Sequence, residues 1–134
     1  GGAADALART MEKPLLRLFR FAKGEEAALS EISLNLSANM LGMGGAATPA
    51  GMAAMRKMAR ANGNNGRASD AMILFLVINT SSVQLLPTTM IALRAQAGAA
   101  NPTDIIPPVL VATTVSTICG AAICRAFAAG RRRT

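Results

Sequence analysis

The sequence contains no histidine, tryptophan or tyrosine, and only two of its 134 residues are cysteines. Without histidine or a Cys-X-X-Cys pair, the usual ligands of a zinc site are missing, so we predict no metal and no cofactor. Cys119 and Cys124 are five residues apart in a helical stretch and do not share a face, so we expect free thiols. We also find no histidine base, carboxylate pair or nucleophile motif and expect that the chain is not an enzyme.

Charged residues make up only 16% of the chain, and their placement is uneven. Three windows carry no charge at all: residues 32–55, 71–93 and 105–124. About 20 helical residues cross the hydrocarbon core of a bilayer. This pattern predicts an all-α, polytopic membrane protein, multi-pass in the bacterial cytoplasmic membrane, with the lipid bilayer as its first partner. An alanine-rich soluble helical bundle is the alternative.

The net charge of +7 comes from basic residues in three segments, 9–23, 56–67 and 125–133, which flank the charge-free windows. Nucleic-acid binding is one interpretation of such a charge, but the sequence has no tryptophan or tyrosine to stack on bases. Basic loops beside membrane spans fit the placement better. We therefore predict no nucleic-acid partner.

The chain divides into three parts by composition. Residues 1–27 are predicted to form an amphipathic helix, over 3–23, that either lies in the membrane interface or is the end of a longer span. Pro14 would kink this helix or mark a new start. Residues 28–129 form the membrane domain and residues 130–134 a basic tail. Since the chain starts without methionine, we expect that its native start is missing.

Two of the three windows are interrupted. In the first, the run 42–48 is rich in glycine, so we predict a helix to about Leu41, a break, and a second helix from near Pro49. In the second, the polar run 79–82 and Pro87 interrupt an apolar helix. The third reads as an ordinary span that opens at Pro107.

The two interrupted windows also match each other. Residues 49–56 and 87–94 share proline, methionine, alanine and arginine at the same offsets, and an asparagine, Asn39 or Asn79, precedes each proline. Paired broken helices in corresponding halves indicate a transporter binding site. The fold prediction therefore includes broken or re-entrant helices and an internal repeat.

Backbone groups at a break must be buried in protein or face a wet cavity, because lipid cannot satisfy them. Polar side chains near the breaks can bind a small polar solute. Our solute-binding candidates are Asn35, Asn39, Thr48, Asn79, Thr80, Ser81, Ser82, Thr88 and Asn101. The predicted helix-break residues are Gly42, Gly44, Gly45, Pro49 and Pro87. Each such residue taken singly is more often used in helix packing, whereas the run 79–82 exceeds what one helix interface needs.

Three strings in the sequence carry a family resemblance. They are Asn35-Leu-Ser-Ala-Asn39-Met-Leu-Gly42-Met-Gly44-Gly-Ala-Ala-Thr48-Pro49-Ala-Gly51, Asn79-Thr-Ser-Ser82 followed by Pro87-Thr-Thr and Ile91-Ala-Leu-Arg94, and Ala100-Asn101-Pro102-Thr-Asp104-Ile-Ile106. They resemble the bacterial spore maturation protein A family, part of the nucleoside-recognition or gate domain group. The chain departs from the family pattern at Gly44-Gly45, where the second residue is usually asparagine, and it lacks the family's further N-terminal segments.

This resemblance implies a solute transporter or gate component that binds a nucleoside or another small polar solute. It equally allows a non-transporting scaffold that acts in spore core maturation, either as a homo-oligomer or with a spore maturation B-like membrane protein. The topology has two solutions. If all windows cross once, segment 56–67 and the C-terminus share the cytoplasmic side, whereas a re-entrant first window puts 9–23 and 56–67 on one side.

Overall fold

The structure, a computed structural model, describes residues 2–131, and within this range every regular element is a helix. The predicted all-α fold is therefore confirmed, while the number of membrane crossings stays a prediction. The final residues of the predicted basic tail, 132–134, lie outside the described residues. The elements are α1 (Gly2–Leu18), a 3₁₀ turn (Glu25–Ala28), α2 (Leu29–Met40), α3 (Gly44–Ala61), α4 (Asp70–Ser81), α5 (Thr88–Gln96), a second 3₁₀ turn (Pro102–Ile105) and α6 (Ile106–Arg131).

Helices α2 and α3 form an antiparallel hairpin. Near its open end, Lys57 Nζ donates to Glu31 Oε1 at 2.6 Å, and at its closed end Asn35 Nδ2 donates to the Ala47 carbonyl at 2.7 Å. Burial raises the pKa of Glu31, but the hydrogen bond from Lys57 and its charge outweigh this, and the pKa is lowered. The chain therefore enters and leaves this hairpin at the same end of the molecule.

Helix α1 packs along α2 and contributes to a core shared with the hairpin and α4. The amphipathic helix predicted for residues 3–23 is shorter than expected, since α1 ends at Leu18. Glu25 and Glu26 explain this ending, because their carboxylates accept from the backbone N–H groups of Ala22 and Gly24, both at 2.8 Å, and hold that segment in a turn. The buried core residues are Leu15, Phe19, Ala28, Ile32, Leu36, Ala54, Met58, Ala71, Leu74, Phe75 and Ile78.

Helices α4 and α6 run antiparallel. Thr113 Oγ1 accepts from the Gln84 N–H at 3.3 Å, and Thr117 Oγ1 donates to Ser81 Oγ at 3.0 Å. One turn further, Gly120 lies against Val77. With 26 residues, α6 is about 39 Å long.

One stretch within the described residues, Pro102–Gly130, is long and apolar enough to cross a membrane. Only 6% of its most apolar window is buried. The apolar helix expected in the third window is thus confirmed, and α6 extends it to Arg131. Its exposed apolar side chains are Val111, Val115, Ile118, Ile123 and Phe127.

Both predicted breaks differ from the structure in their extent. The first covers only residues 41–43, and the predicted helix start near Pro49 is wrong, because Pro49 lies inside α3. Helix α3 starts earlier because the Met43 carbonyl already accepts from the N–H groups of Ala46 and Ala47. Pro49 removes one helical hydrogen bond, but its fixed φ suits the helix. Gly44 and Gly45 accordingly form the first turn of α3 rather than part of the break.

The second break covers residues 82–87, so residues 79–81 belong to the last turn of α4. The run stays helical, and the Thr80 and Ser81 hydroxyls find partners within it by donating back to the carbonyls of Leu76 and Val77 at 2.9 and 3.0 Å. Pro87 is the N-cap of α5, whereas its sequence counterpart Pro49 is internal to α3. The two members of the sequence repeat therefore differ in structure.

The molecule has two distinct ends. At one, which we call the basic end, α1, α3 and α6 finish and α4 begins, and Arg20, Asp70 and Arg125 line one small cavity. At the other, which we call the break end, both breaks lie close together. The ends of segments 9–23 and 56–67 and the C-terminal part of α6 all lie at the basic end. Which of the two topologies places them in a membrane stays a prediction.

Gly120 tests the contact between α4 and α6. A Cβ at this position would lie 2.8 Å from Val77 Cγ1, whereas a Cβ at Gly130 would meet nothing within 4 Å. We expect Gly120→Ala to lower the free energy of unfolding by roughly 1–3 kcal/mol through overpacking, and Gly130→Ala to leave it unchanged or slightly raise it. Thermal unfolding in detergent measures both, and equal midpoints for the two variants would contradict the described contact.

Candidate functional site

Three asparagines form a continuous hydrogen-bonded chain, which we call the asparagine triad. Asn39 Nδ2 donates to Asn79 Oδ1 at 2.7 Å, and Asn79 Nδ2 donates to Asn35 Oδ1 at 2.8 Å. Asn35 Nδ2 in turn donates to the Ala47 carbonyl at 2.7 Å. Asn35 and Asn39 are four residues apart on α2 and so share a face, which is turned toward Asn79 on α4. The triad thereby connects three helices.

The direction of this chain is fixed from one end. The Ala47 carbonyl can only accept, so Asn35 must present its amide nitrogen to it and its oxygen to Asn79. Asn79 must then present its own oxygen to Asn39. The Asn39 carbonyl oxygen is left at the free end as an acceptor. The triad is therefore polarised, with an unused acceptor at Asn39.

The triad lines a cavity of about 550 Å³ between α3 and α4, which we call the site cavity. Asn35 is buried at 3% exposure, whereas Met52 and Leu76 are about half exposed. Arg56 is the one charged side chain among its described lining residues. The remaining walls are formed by Ala47, Thr48, Gly51, Met55, Phe75 and Thr80. The cavity thus joins amide groups, a guanidinium and apolar walls.

The contacts between α4 and α6 show at which height along α6 the triad lies. Asn79 lies between Val77, which faces Gly120, and Ser81, which bonds to Thr117. It is therefore level with residues 118 and 119, the midpoint of α6. The polar site lies halfway along the one helix of span length.

Thr48, Thr80 and Ser81 each donate to a carbonyl of their own helix. Thr48 and Thr80 nevertheless line the site cavity. Ser81 does not, because its hydroxyl faces Thr117 of α6. The predicted run 79–82 therefore separates into residues with different surroundings.

A second cavity of about 340 Å³, the break cavity, lies between the two breaks. Its lining includes the predicted residues Asn39, Gly42, Gly44, Pro87 and Thr88, together with Gln84, Leu86, Thr89 and Met90. Neither cavity lining includes Ser82, Gly45, Pro49 or Asn101. Ser82 has a φ of 34°. Asn101 is exposed before the second 3₁₀ turn.

Backbone groups at each break form hydrogen bonds with residues of the other break. The Met40 carbonyl at the end of α2 accepts from the N–H groups of Leu85 and Leu86, at 2.9 and 3.2 Å. Thr88 Oγ1 donates to the Gly42 carbonyl at 3.4 Å. Gly42 has φ 71°, and a Cβ there would lie 2.6 Å from the Leu86 carbonyl oxygen, so this close approach requires glycine.

Arg56 and Gly51 are site residues that the sequence reasoning did not identify. Arg56 was assigned to a basic loop, although its spacing from Thr48 and Met52 places all three on one face of a helix. Gly51 was not distinguished from the neighbouring glycines. A Cβ at Gly51 would lie 2.7 Å from Asn35 Nδ2, so its missing side chain makes room for the triad.

Within its described residues this is an all-helical protein with one helix of span length and an amide-lined cavity level with the midpoint of that helix. The chain is 40% identical over 132 residues to spore maturation protein A of Bacillus subtilis (strain 168), covering 98% of this chain and 67% of that protein. The chain therefore belongs to the spore maturation protein A family, as its motifs predicted. No family model and no solved structure matches it significantly.

Gly51 provides a local test of the triad. In Gly51→Ala the new Cβ must displace the Asn35 amide, so we expect loss of its hydrogen bond to Ala47 and a destabilisation of about 1–3 kcal/mol, beyond any gain in helix propensity. Gly45→Ala is the matched control in α3, since a Cβ there meets nothing within 4 Å. The free energy of unfolding should fall only for Gly51→Ala, and a fall for neither variant would contradict the described approach.

Proposed function

We propose that this protein is a multi-pass membrane protein that binds a small polar solute in the site cavity, as a transporter or gate component. The observation that carries this proposal is the asparagine triad, whose polarised amides line a cavity level with the midpoint of α6. By its family name the relative is linked to spore maturation, and we propose that this chain serves the same process.

The level of the triad supports solute handling over anchoring. With α6 across a bilayer, the amides lie near mid-membrane, where a polar group without a partner costs several kcal/mol. Two of the bonds join α2 to α4 and the third joins α2 to α3, so the triad does more than attach one pair of helices. The cavity beside them is large enough for water or a small molecule to complete the remaining hydrogen bonds.

The groups on the cavity wall indicate the chemistry of the solute. The free Asn39 oxygen and the hydroxyl oxygens of Thr48 and Thr80 accept hydrogen bonds, while Arg56 donates them. The side chains of Met52, Met55 and Phe75 provide apolar surface. This combination suits a compact molecule with polar edges and an apolar face, and a nucleoside has this character.

The second candidate function is a scaffold without transport, acting as a homo-oligomer or with a spore maturation B-like membrane protein. The exposed apolar face of α6 favours it, because a helix that is 6% buried in its most apolar window has most of its surface available to lipid or protein. Under this function the triad is only an attachment between helices.

Adjacent residues of α4 separate the two functions. We expect Asn79→Ala to abolish solute binding, because it removes the middle of the triad. Ser81→Ala should bind normally, since Ser81 faces α6 and not the cavity. Thermal stabilisation of the purified protein by a panel of nucleosides, amides and polyols measures binding.

The contradicting outcomes are equally distinct. If no solute in a broad panel stabilises the native protein, the transport proposal fails and the scaffold gains support. If Asn79→Ala and Ser81→Ala bind a stabilising solute alike, binding occurs outside the site cavity.

A further inference from the structure

We propose, building on the proposed function, that the site cavity and the break cavity are two halves of one path. They open to opposite faces of the membrane, and the Asn39–Asn79 hydrogen bond is the gate between them. The solute class for this path is a small neutral molecule with an N–H or O–H donor. Four observations lead to this inference.

The two cavities share a single lining residue, Asn39. Its side chain is half-buried and forms a wall of both. The 2.7 Å bond to Asn79 holds this wall in place. We place the boundary between the two cavities at this side-chain amide.

From Asn39 the cavities extend in opposite directions along the bundle. The site cavity runs toward the basic end, past Phe75 on α4 and Met55 and Arg56 on α3. The break cavity runs the other way, past the end of α2 to Gly42 and Leu86. Together they follow the long axis of α4, which lies antiparallel to α6.

Asn39 can move without its backbone moving. The adjacent Met40 carbonyl is held by the N–H groups of Leu85 and Leu86, which fixes the end of α2. Rotation of the Asn39 side chain breaks only the bond to Asn79. A solute that accepts from Asn39 Nδ2 and donates to Asn79 Oδ1 would give both groups a new partner, so opening requires little net energy when the solute is present.

The charges on the path specify a neutral solute. Arg56 lies in the site cavity, but the described lining of the break cavity contains no charged side chain. An ion entering the break cavity would lose its hydration without gaining a counter-charge, which is costly in a low-dielectric interior. A neutral molecule with hydrogen-bond donors meets Gln84, Thr88 and the Asn39 oxygen instead.

Cysteine accessibility tests the path directly. In a Cys119→Ala, Cys124→Ala background, Met52→Cys probes the site cavity and Thr89→Cys the break cavity. Asn64→Cys, in the loop at the basic end, reports that side. The proteins are reconstituted into vesicles, and a membrane-impermeant maleimide is applied from either side. We expect Met52→Cys to be labelled from the same side as Asn64→Cys, and Thr89→Cys from the opposite side.

Weakening the gate should join the two cavities. Adding Asn39→Ala removes the hydrogen bond, so labelling of each cysteine from its disfavoured side should become about fivefold faster, the factor that corresponds to one net hydrogen bond. Adding Ser81→Ala should change nothing. Labelling of both probes from one side, or no effect of Asn39→Ala, would overturn the gate.

Protection of a cysteine from labelling by a bound solute tests the proposed solute class. A nucleoside should slow labelling of Met52→Cys, and its monophosphate should not; protection by the monophosphate alone would overturn the neutral class. These results are separable from the proposed function. Binding that depends on Asn79 with both probes on one side removes the gate and leaves the site, whereas opposite-sided labelling without any binding solute removes the proposed function.

Discussion

The arrangement depends on how backbone groups at the two helix breaks are satisfied. A carbonyl at the end of α2 and the N–H groups that follow α4 have no partners within their own helices. Here the Met40 carbonyl takes both the Leu85 and Leu86 N–H groups. This pairing sets the end of α2 level with the end of α4, and Asn39 and Asn79 meet because each lies within the last turn before its break.

The asparagine triad forms where these two helix ends are aligned. A carbonyl of α3 fixes the orientation of Asn35, and the orientation passes through Asn79 to Asn39. The result is a directed acceptor at the junction of two cavities, built from uncharged groups. Uncharged amides suit this level of the structure, because a buried carboxylate without a partner would be far more costly.

Much of this was accessible from the sequence. The charge-free windows, the apolar third helix and the placement of Asn39 and Asn79 beside the two breaks followed from composition and from the punctuation by glycine and proline. The helix bounds did not, because Thr80 and Ser81 can place their hydroxyls on carbonyls of their own helix, so a polar run need not end it. Pro49 likewise reads as a helix start, although the helix begins five residues earlier.

Two residues of the site cavity, Arg56 and Gly51, were beyond the sequence. Arg56 reads as the first residue of a basic loop. Only the packing of α3 against α2 places its side chain in the lining of the cavity. Gly51 looks like one of many small residues until the Asn35 amide is found against it. Such roles depend on contacts between residues distant in the chain, which local patterns do not contain. The pairing of Asn79 with two residues of α2 belongs to the same category.

The most direct measurement compares two positions at one level of the molecule. Thr80 lines the site cavity beside Asn79, and Ile118 is exposed on α6 at the same level. Nitroxide labels at these positions, in a Cys119→Ala, Cys124→Ala background in bilayers, report collisions with a water-soluble nickel complex and with oxygen. We expect the label at position 80 to be relaxed by the nickel complex and the label at 118 by oxygen alone. Equal relaxation of both labels by oxygen alone would contradict a wet, polar site at mid-membrane.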